Sequence, residues 1–497
     1  MIPKSRREFL KSIPSTALAA GGGALAASLL GGACPKKHAA VPSTSVEDAA
    51  RTQWYRDAKF GLFLHWGAYS LAGVEASWAI MKPEWFPHSP PISEQAYVEL
   101  PKRFNPFRFD PRDWVQMAKQ AGMRYIVFTT KHCDGFCMFD APGTDYKITN
   151  TPYGKDVLAL LAEACAEEKM ALGFYYSPPD MHHPGYRDTR LPTSRNWRGE
   201  PNRLQWASYL DYMESHLRTL LTRYGNVAIL WFDWLFGTAQ YDPPRFHKLV
   251  HELSPGTLMN DRLGPGGDYV TPEQFFPDGI PVKRKSPSPE FPPETVEVVD
   301  FLAKTLPQKW LLELILFLAK SRYPISLHPA PEEYQLWEAC MTMNDSWSYN
   351  PADTNFKPTE KLIRTLVEVA SRGGNFLLDV GPTGEGTFPP EAIERLRGIG
   401  EWMQVNGEAI HGTTYGPLQN LLFGRTTAKD GTIYLHLFHK PADRLEVTGF
   451  PHPVASISHL AGGTACRFEQ SGNHLRIDLT GCTWPEKVPV LAVRIKS

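Results

Sequence analysis

Apolar residues come in short unbroken runs along most of the chain, and between the runs they recur at helical spacing. Seven runs, at 60–64, 125–130, 171–176, 227–232, 257–259, 339–343 and 375–380, predict strands. Leu210, Met213, Leu217 and Leu220 fall on one helix face, as do Leu362, Leu366 and Val369. A strand that is apolar on both faces needs cover on both. The alternation therefore predicts an α/β domain, a parallel sheet wrapped in helices. Over ~350 residues it favours a (β/α)8-type barrel above an open doubly wound sheet. No Gly-rich phosphate loop follows the first strand, which counts against a dinucleotide fold. Seven strands where a barrel has eight imply an irregular one.

After Gly412 the period changes. Ile433, Leu435 and Leu437 alternate with polar neighbours, as do Leu475, Ile477 and Leu479, and 488–495 is a further strand. This predicts a C-terminal antiparallel β-sandwich over 413–497, behind a catalytic barrel at 46–412. Within the barrel, residues 285–333 are an unusual insertion: a Pro-rich stretch and a very apolar run, 310–319, too short to span a bilayer. The run reads as a helix packed on the barrel, or a lid.

Residues 1–45 read as leader and linker rather than fold. Ser5-Arg6-Arg7-Glu8-Phe9-Leu10-Lys11 is a twin-arginine pattern, and the apolar run behind it is too short and Gly-rich for a stable span. Export to the periplasm or beyond is expected. Gly31-Gly32-Ala33-Cys34 resembles a lipoprotein cleavage site, without the usual Leu three residues before the cysteine, so Cys34 is a candidate lipid anchor. The seven cysteines include no C-x-x-C pair, which argues against structural zinc; Cys466 and Cys482 could pair after export. Lys+Arg 52 against Asp+Glu 53 gives a net charge of -1, so no general attraction to nucleic acid is expected. The 14 Trp and 19 Tyr suit either sugar stacking or a large aromatic core.

Polar residues stand just past the carboxyl end of nearly every predicted strand: His65-Trp66, Lys131-His132, Ser177, Asp233, Asn260-Asp261-Arg262 and Asn344-Asp345. A parallel barrel gathers those ends on one face, where its chemistry lies. Asp233 ends an apolar strand that has no other charge, although a helix N-cap or a loop salt bridge would also place an Asp there. Arg262 and Glu273 come on the next loop. Two carboxylates across one pocket, about 5–5.5 Å apart, are what retaining glycoside hydrolysis needs. One must be ionised and the other protonated near neutrality, and an Arg would keep the nucleophile charged. His65 and His132 could donate to sugar hydroxyls. His132-Cys133-Asp134 and Asp180-Met181-His182-His183 could instead be metal ligands, but the first strand ends in His65-Trp66-Gly67 rather than His-x-His, and no cofactor is expected.

The ordered stretches Phe60–Gly67, Lys131–Phe136, Phe174–Ser177, Leu230–Asp233, Asn260–Arg262, Trp337–Cys340, Asn344–Trp347 and Gly373–Leu378 resemble bacterial α-L-fucosidases of glycoside hydrolase family 29. The resemblance implies a barrel followed by a β-sandwich and a retaining exo-glycosidase acting on a fucosylated glycan. Asp233 matches the family nucleophile and Glu273 the acid/base, with Glu290, Glu332 and Glu333 as rivals. Arg262 matches the family Arg; His65, Trp78, His132, Tyr176 and Trp231 match sugar-contacting positions. Trp347 and Phe60 are the expected lining for the sugar methyl group. Two departures stand out: Ser77 precedes Trp78 where many members have Glu, with Glu75 two residues earlier, and Cys133 follows His132 where many have a second His. A glycosidase acting on an α-L-galactoside and a non-catalytic glycan-binding barrel are the alternatives.

Overall fold

The computed structural model describes residues 46–234, 237–284, 320, 323–419, 421–439, 443–480, 482 and 487–496. The leader, Cys34, the run at 310–319 and Glu290 lie outside the described residues.

Seven parallel strands form one sheet: β1 (Phe60–Leu64), β2 (Tyr125–Lys131), β3 (Ala171–Tyr176), β4 (Val227–Phe232), β5 (Leu258–Met259), β6 (Glu338–Thr342) and β7 (Asn375–Val380). Their spatial order is β5-β4-β3-β2-β1-β7-β6. Every residue of β1, β2, β4, β6 and β7 is buried, as unbroken apolar runs require of strands covered on both faces. Among the described residues seven helices are ten residues or longer: α1 (Val46–Ala58), α2 (Pro111–Gln120), α3 (Val157–Glu167), α4 (Trp206–Arg223), α5 (Pro243–Leu253), α6 (Thr359–Ala370) and α7 (Pro390–Asn406). Leu210, Met213, Leu217 and Leu220 on α4, and Leu362, Leu366 and Val369 on α6, are buried as their spacing predicts. Helix α7 packs on both α6 and α2, which closes the outer ring.

The gap between β5 and β6 is filled by an irregular stave, residues 268–274. On one side Asp268 N–H donates to Met259 O (2.7 Å) and Asn260 pairs with Tyr269. On the other, Val270 N–H donates to Leu336 O (3.0 Å), Glu338 N–H to Val270 O (2.9 Å) and Gln274 N–H to Cys340 O (2.9 Å). Pro272 has no N–H to add to this ladder, and Gln274 turns out of it at a φ of 61°. The barrel thus has its eighth member, in a form no hydrophobic run announces.

The insertion departs beside the opposite end of the barrel. Ile280–Pro281 pairs antiparallel with Ile325–Ser326, and Lys283 N–H donates to Glu333 O (2.7 Å). Tyr334 then precedes β6 and donates its hydroxyl to Gly373 O (2.8 Å), just ahead of β7. No helix among the described residues is long and apolar enough to cross a membrane.

The C-terminal strands are β8 (Thr414–Tyr415), β9 (Gly424–Lys429), β10 (Thr432–Leu437), β11 (Arg444–Thr448), β12 (Val454–His459), β13 (Phe468–Ser471), β14 (His474–Asp478) and β15 (Val490–Ile495). They form two antiparallel sheets, β8-β9-β10-β15-β12 and β11-β14-β13. Ile433, Leu435, Leu437, Leu475 and Ile477 meet in the core between them. Cys466 and Cys482 are thiols there, with sulfurs 4.0 Å apart. Trp402 on α7 donates its indole N–H to Val488 O (2.9 Å), and Arg425 on β9 bonds Glu368 on α6 (2.7 Å).

Candidate active site

Asp233 stands one residue past β4. Its N–H donates to Tyr176 O (3.1 Å), so the β3–β4 ladder runs right up to it. On the other flank β5 is only two residues long, and the Asn260 side chain continues the pairing: its Oδ1 accepts from Phe232 N–H (3.0 Å) and its Nδ2 donates to Phe232 O (2.8 Å). The side chain is held as firmly as the backbone. Oδ1 accepts from Arg262 Nη1 (2.8 Å) and Oδ2 from the Tyr175 hydroxyl (2.6 Å). Burial alone would push this carboxyl up, but Arg262, the Tyr175 hydroxyl and the two nearby imidazoles hold it below the usual carboxylate range.

Arg262 is the hub. Its Nη1 also lies 2.8 Å from Glu273 Oε2, so one nitrogen bridges both carboxylates. The two oxygens are therefore no farther apart than twice that distance, which is compatible with the separation of a retaining pair. Nε donates to Thr271 Oγ1 (2.9 Å) and Nη2 to Thr271 O (3.2 Å), tying the guanidinium to the irregular stave that carries Glu273. Its flat face rests 4.5 Å above the Trp231 ring.

His65 stands one residue past β1 with Nδ1 2.7 Å from Asp379 Oδ1 on β7, leaving Nε2 for the mouth. Burial opposes its charge, yet Asp379 beside it carries the pKa above the ordinary value. His132 differs. Ser77 Oγ accepts from Asp134 N–H (2.8 Å) and is hydrogen-bonded to His132 Nδ1, which leaves Nε2 for the mouth. Burial, helped by neighbouring His65, lowers His132 to about 3, so it is neutral. Its ring stacks on Tyr175 at 5.6 Å and 2°. Cys133 is buried with its thiol toward Ser177 Oγ (3.5 Å) and burial pushes that thiol up. Trp78 is half-buried at the rim, stacked on Trp85 at 5.4 Å.

The structure thus gathers Asp233, Glu273, Arg262, His65, His132 and Trp231 in one mouth, with Trp347 5.1 Å from His65. Two expected residues fall elsewhere. Tyr176 points outward: its hydroxyl meets His216 Nδ1 (3.2 Å) and its ring lies under Lys131 (4.8 Å). Side chains alternate along β3, so it is Tyr175 that shares the inner face with Ser177 and reaches Asp233. Phe60 begins β1, stacks outward on Phe376 at 5.8 Å and is remote from the mouth; Phe63, three residues on and so on the opposite face, lies 6.1 Å from Trp347. The rivals Glu332 and Glu333 are exposed in a turn ahead of β6, at the far end of that strand from the carboxylate pair. Asp379 and Ser77 escaped the sequence reading as partners of the histidines, although a charge inside Phe376-Leu377-Leu378-Asp379 was the available signal. Among the described residues no group of three or more His, Cys, Asp or Glu could hold a metal ion.

Barrel and mouth together define a (β/α)8-type protein with a paired-carboxylate centre under one guanidinium. Comparison makes the class specific. A family model described as Alpha-L-fucosidase matches residues 33–287 and 321–408. The chain is 24% identical over 435 residues to an alpha-L-fucosidase of Dictyostelium discoideum, covering 80% of each protein. It is also 24% identical over 423 residues to the tissue alpha-L-fucosidase of Homo sapiens, covering 80% of this chain and 78% of that one. Among solved structures, alpha-L-fucosidase isoenzyme 1 from Paenibacillus thiaminolyticus superposes with a TM-score of 0.73 at 29% identity, over 90% of this chain and 100% of its own. An alpha-L-fucosidase from Bacteroides thetaiotaomicron, solved as a trapped covalent intermediate with 2-fluoro-fucosyl fluoride, shares the fold with a TM-score of 0.72 at 24% identity, over 94% and 100%. The chain belongs to the alpha-L-fucosidase family.

Proposed function

We propose that the protein is a retaining exo-α-L-fucosidase that releases terminal α-L-fucose from glycans, with Asp233 as nucleophile and Glu273 as acid/base. The observation that carries this reading is the shared Arg262 nitrogen, 2.8 Å from an oxygen of each carboxylate. In the first step an Asp233 oxygen attacks C1 of the fucosyl unit while Glu273 gives its proton to the departing glycosidic oxygen. Asp233 loses its negative charge to the new ester as Glu273 becomes a carboxylate. In the second step water attacks C1, Glu273 takes its proton and Asp233 leaves as the free carboxylate. In the reaction one negative charge passes from Asp233 to Glu273 and back, and Arg262 lies against an oxygen of each. A cation fixed between the two needs no rearrangement as the charge passes across, which is electrostatic preorganisation.

His65 and His132 suit recognition of sugar hydroxyls, each with Nδ1 engaged and Nε2 free for the pocket. Trp78 and Trp231 supply apolar surface, and Phe63 and Trp347 suit the 6-deoxy methyl group. Tyr175 takes the role first given to Tyr176. The leader supports export by the twin-arginine route, with Cys34 as an acylation point in a lipid-anchored form. Radiolabelled palmitate incorporation into the native chain but not into Cys34→Ser checks that anchor.

The deciding experiment is mass spectrometry after exposure to a slow 2-fluoro-fucosyl fluoride. The expected result is one added fucosyl mass on the peptide holding Asp233. Labelling of another carboxylate, or no labelling with continuing hydrolysis of an aryl α-L-fucoside, rejects the assignment.

A further inference from the structure

Glu338 is the first residue of β6, is fully buried inside the barrel, and has no part in the steps above. A carboxylate taken fully out of water is costly to bury unless donors converge on it. Its bonds are all accepted from donors that converge on it. Oε2 accepts from the Tyr55 hydroxyl (2.8 Å) and the Tyr125 hydroxyl (2.6 Å). Oε1 accepts from the Trp231 indole N–H (2.9 Å). Trp231 therefore directs its polar atom to the barrel floor.

The upper surroundings of that indole are the important part. The Arg262 guanidinium lies 4.5 Å from its ring centre, and the Tyr175 ring stacks on it at 5.7 Å and 14°. These are the two residues that hold Asp233, Arg262 at Oδ1 and Tyr175 at Oδ2. One ring, tethered by one carboxylate, supports both arms of the cradle.

We propose that Glu338 is a positioning residue for the nucleophile, acting through Trp231 on Arg262 and Tyr175. The inference rests on the reading of Asp233 as nucleophile. Asp233 faces Arg262, Tyr175, His65, His132 and, across Arg262, Glu273, with the Cys133 and Cys340 thiols nearby. Loosening Arg262 and Tyr175 raises its pKa. Burial raises the pKa of Glu338 itself, and loss of its charge with geometry intact lowers that of Asp233 instead, because one negative neighbour is gone. The two effects move the acidic limb of the pH–rate profile in opposite directions.

The test is the rate of Asp233 labelling by 2-fluoro-fucosyl fluoride, together with kcat, KM and the pH profile on an aryl fucoside, in the full-length enzyme. Glu338→Gln is expected to slow labelling and kcat about tenfold or more, change KM less than threefold, and move the acidic limb upward. Trp231→Phe, which keeps a ring but loses the N–H, should slow labelling and kcat and move the acidic limb upward likewise, with a KM change of its own because it lines the sugar, and the kcat of the double variant should fall little below the worse single. Should Glu338→Gln not fold, Tyr55→Phe and Tyr125→Phe weaken the tether from below and must show smaller losses with the same upward shift. Labelling within threefold of native, a downward or unmoved limb, or multiplicative losses in the double variant overturns the proposal. Absence of Asp233 labelling in the native enzyme overturns the nucleophile assignment instead, and this inference with it.

Discussion

The two carboxylates of the mouth are held in opposite ways. Asp233 sits at the tip of a fully buried strand, with its backbone laddered on one side and both oxygens bonded to protein. Glu273 lies on a stave interrupted by Pro272, bonds Arg262, and is 37% exposed against 24% for Asp233. The difference matches the tasks proposed for them. A nucleophile makes one bond to one carbon and gains from a fixed position. An acid/base must reach a departing oxygen and later an incoming water, which are separate targets that a rigid carboxylate would serve unequally.

Breaking the rigid side should have the largest effect. Asp233→Ala is expected to lower kcat on an aryl α-L-fucoside on the order of 10⁴-fold or more; activity within tenfold of native would end the comparison. Glu273→Ala loses general acid and base assistance, about 10²–10⁴-fold. Its loss should be smallest with good leaving groups, and azide should restore turnover as a fucosyl azide; equal losses on good and poor leaving groups without azide rescue would move the acid elsewhere. Arg262→Lys keeps the charge but not the fork that reaches both carboxylates and Thr271, and should cost about 10²–10³-fold. A Lys variant as active as native would show that charge alone suffices.

Smaller changes sharpen the picture around the histidines. Ser77→Ala strands Asp134 N–H and frees His132 Nδ1, so a stability loss of about 1–3 kcal/mol is expected by denaturant titration, with turnover down about tenfold. Ser77→Ala indistinguishable from native would place His132's orientation under other control. The least effect concerns pH. His65 has a folded-state pKa raised above its unfolded value of about 6.5. Burial pushes the Asp379 carboxyl up to about 6, so the pairing adds stability that is greatest near pH 6–6.5, falls below that as Asp379 takes a proton, and is lost as pH rises through the folded value of His65. The melting-temperature gap between native and His65→Gln should narrow from about pH 6 to about pH 9.

The same contrast decided what could be read from the amino acids. β4 is an unbroken apolar run, so strand and terminal Asp233 were both legible. The stave carrying Glu273 reads Asp268-Tyr269-Val270-Thr271-Pro272-Glu273, polar at half its positions and broken by proline, so it passed for loop and the barrel counted seven strands. β6 was placed one residue late because a Glu in its first position looks like a boundary; three buried donors make it part of the strand. Tyr175 and Tyr176 are adjacent and alike, and only alternation counted from Ser177 separates the inward one. Glu273 was singled out by its place after Arg262 and by family likeness, without periodicity, while family likeness pointed to Tyr176 where alternation along the strand turns Tyr175 inward.

The seam between barrel and sandwich has a practical corollary. Tyr434, Val488, Val490 and Ala492 belong to the same apolar cluster as the barrel helices, although they come from the last quarter of the chain. Cutting after Gly412 would not liberate a trimmed enzyme. It would unroof Trp402 and the flank of α6, leaving a barrel with a bared apolar face prone to aggregate, so shortened expression forms are best made at the other terminus.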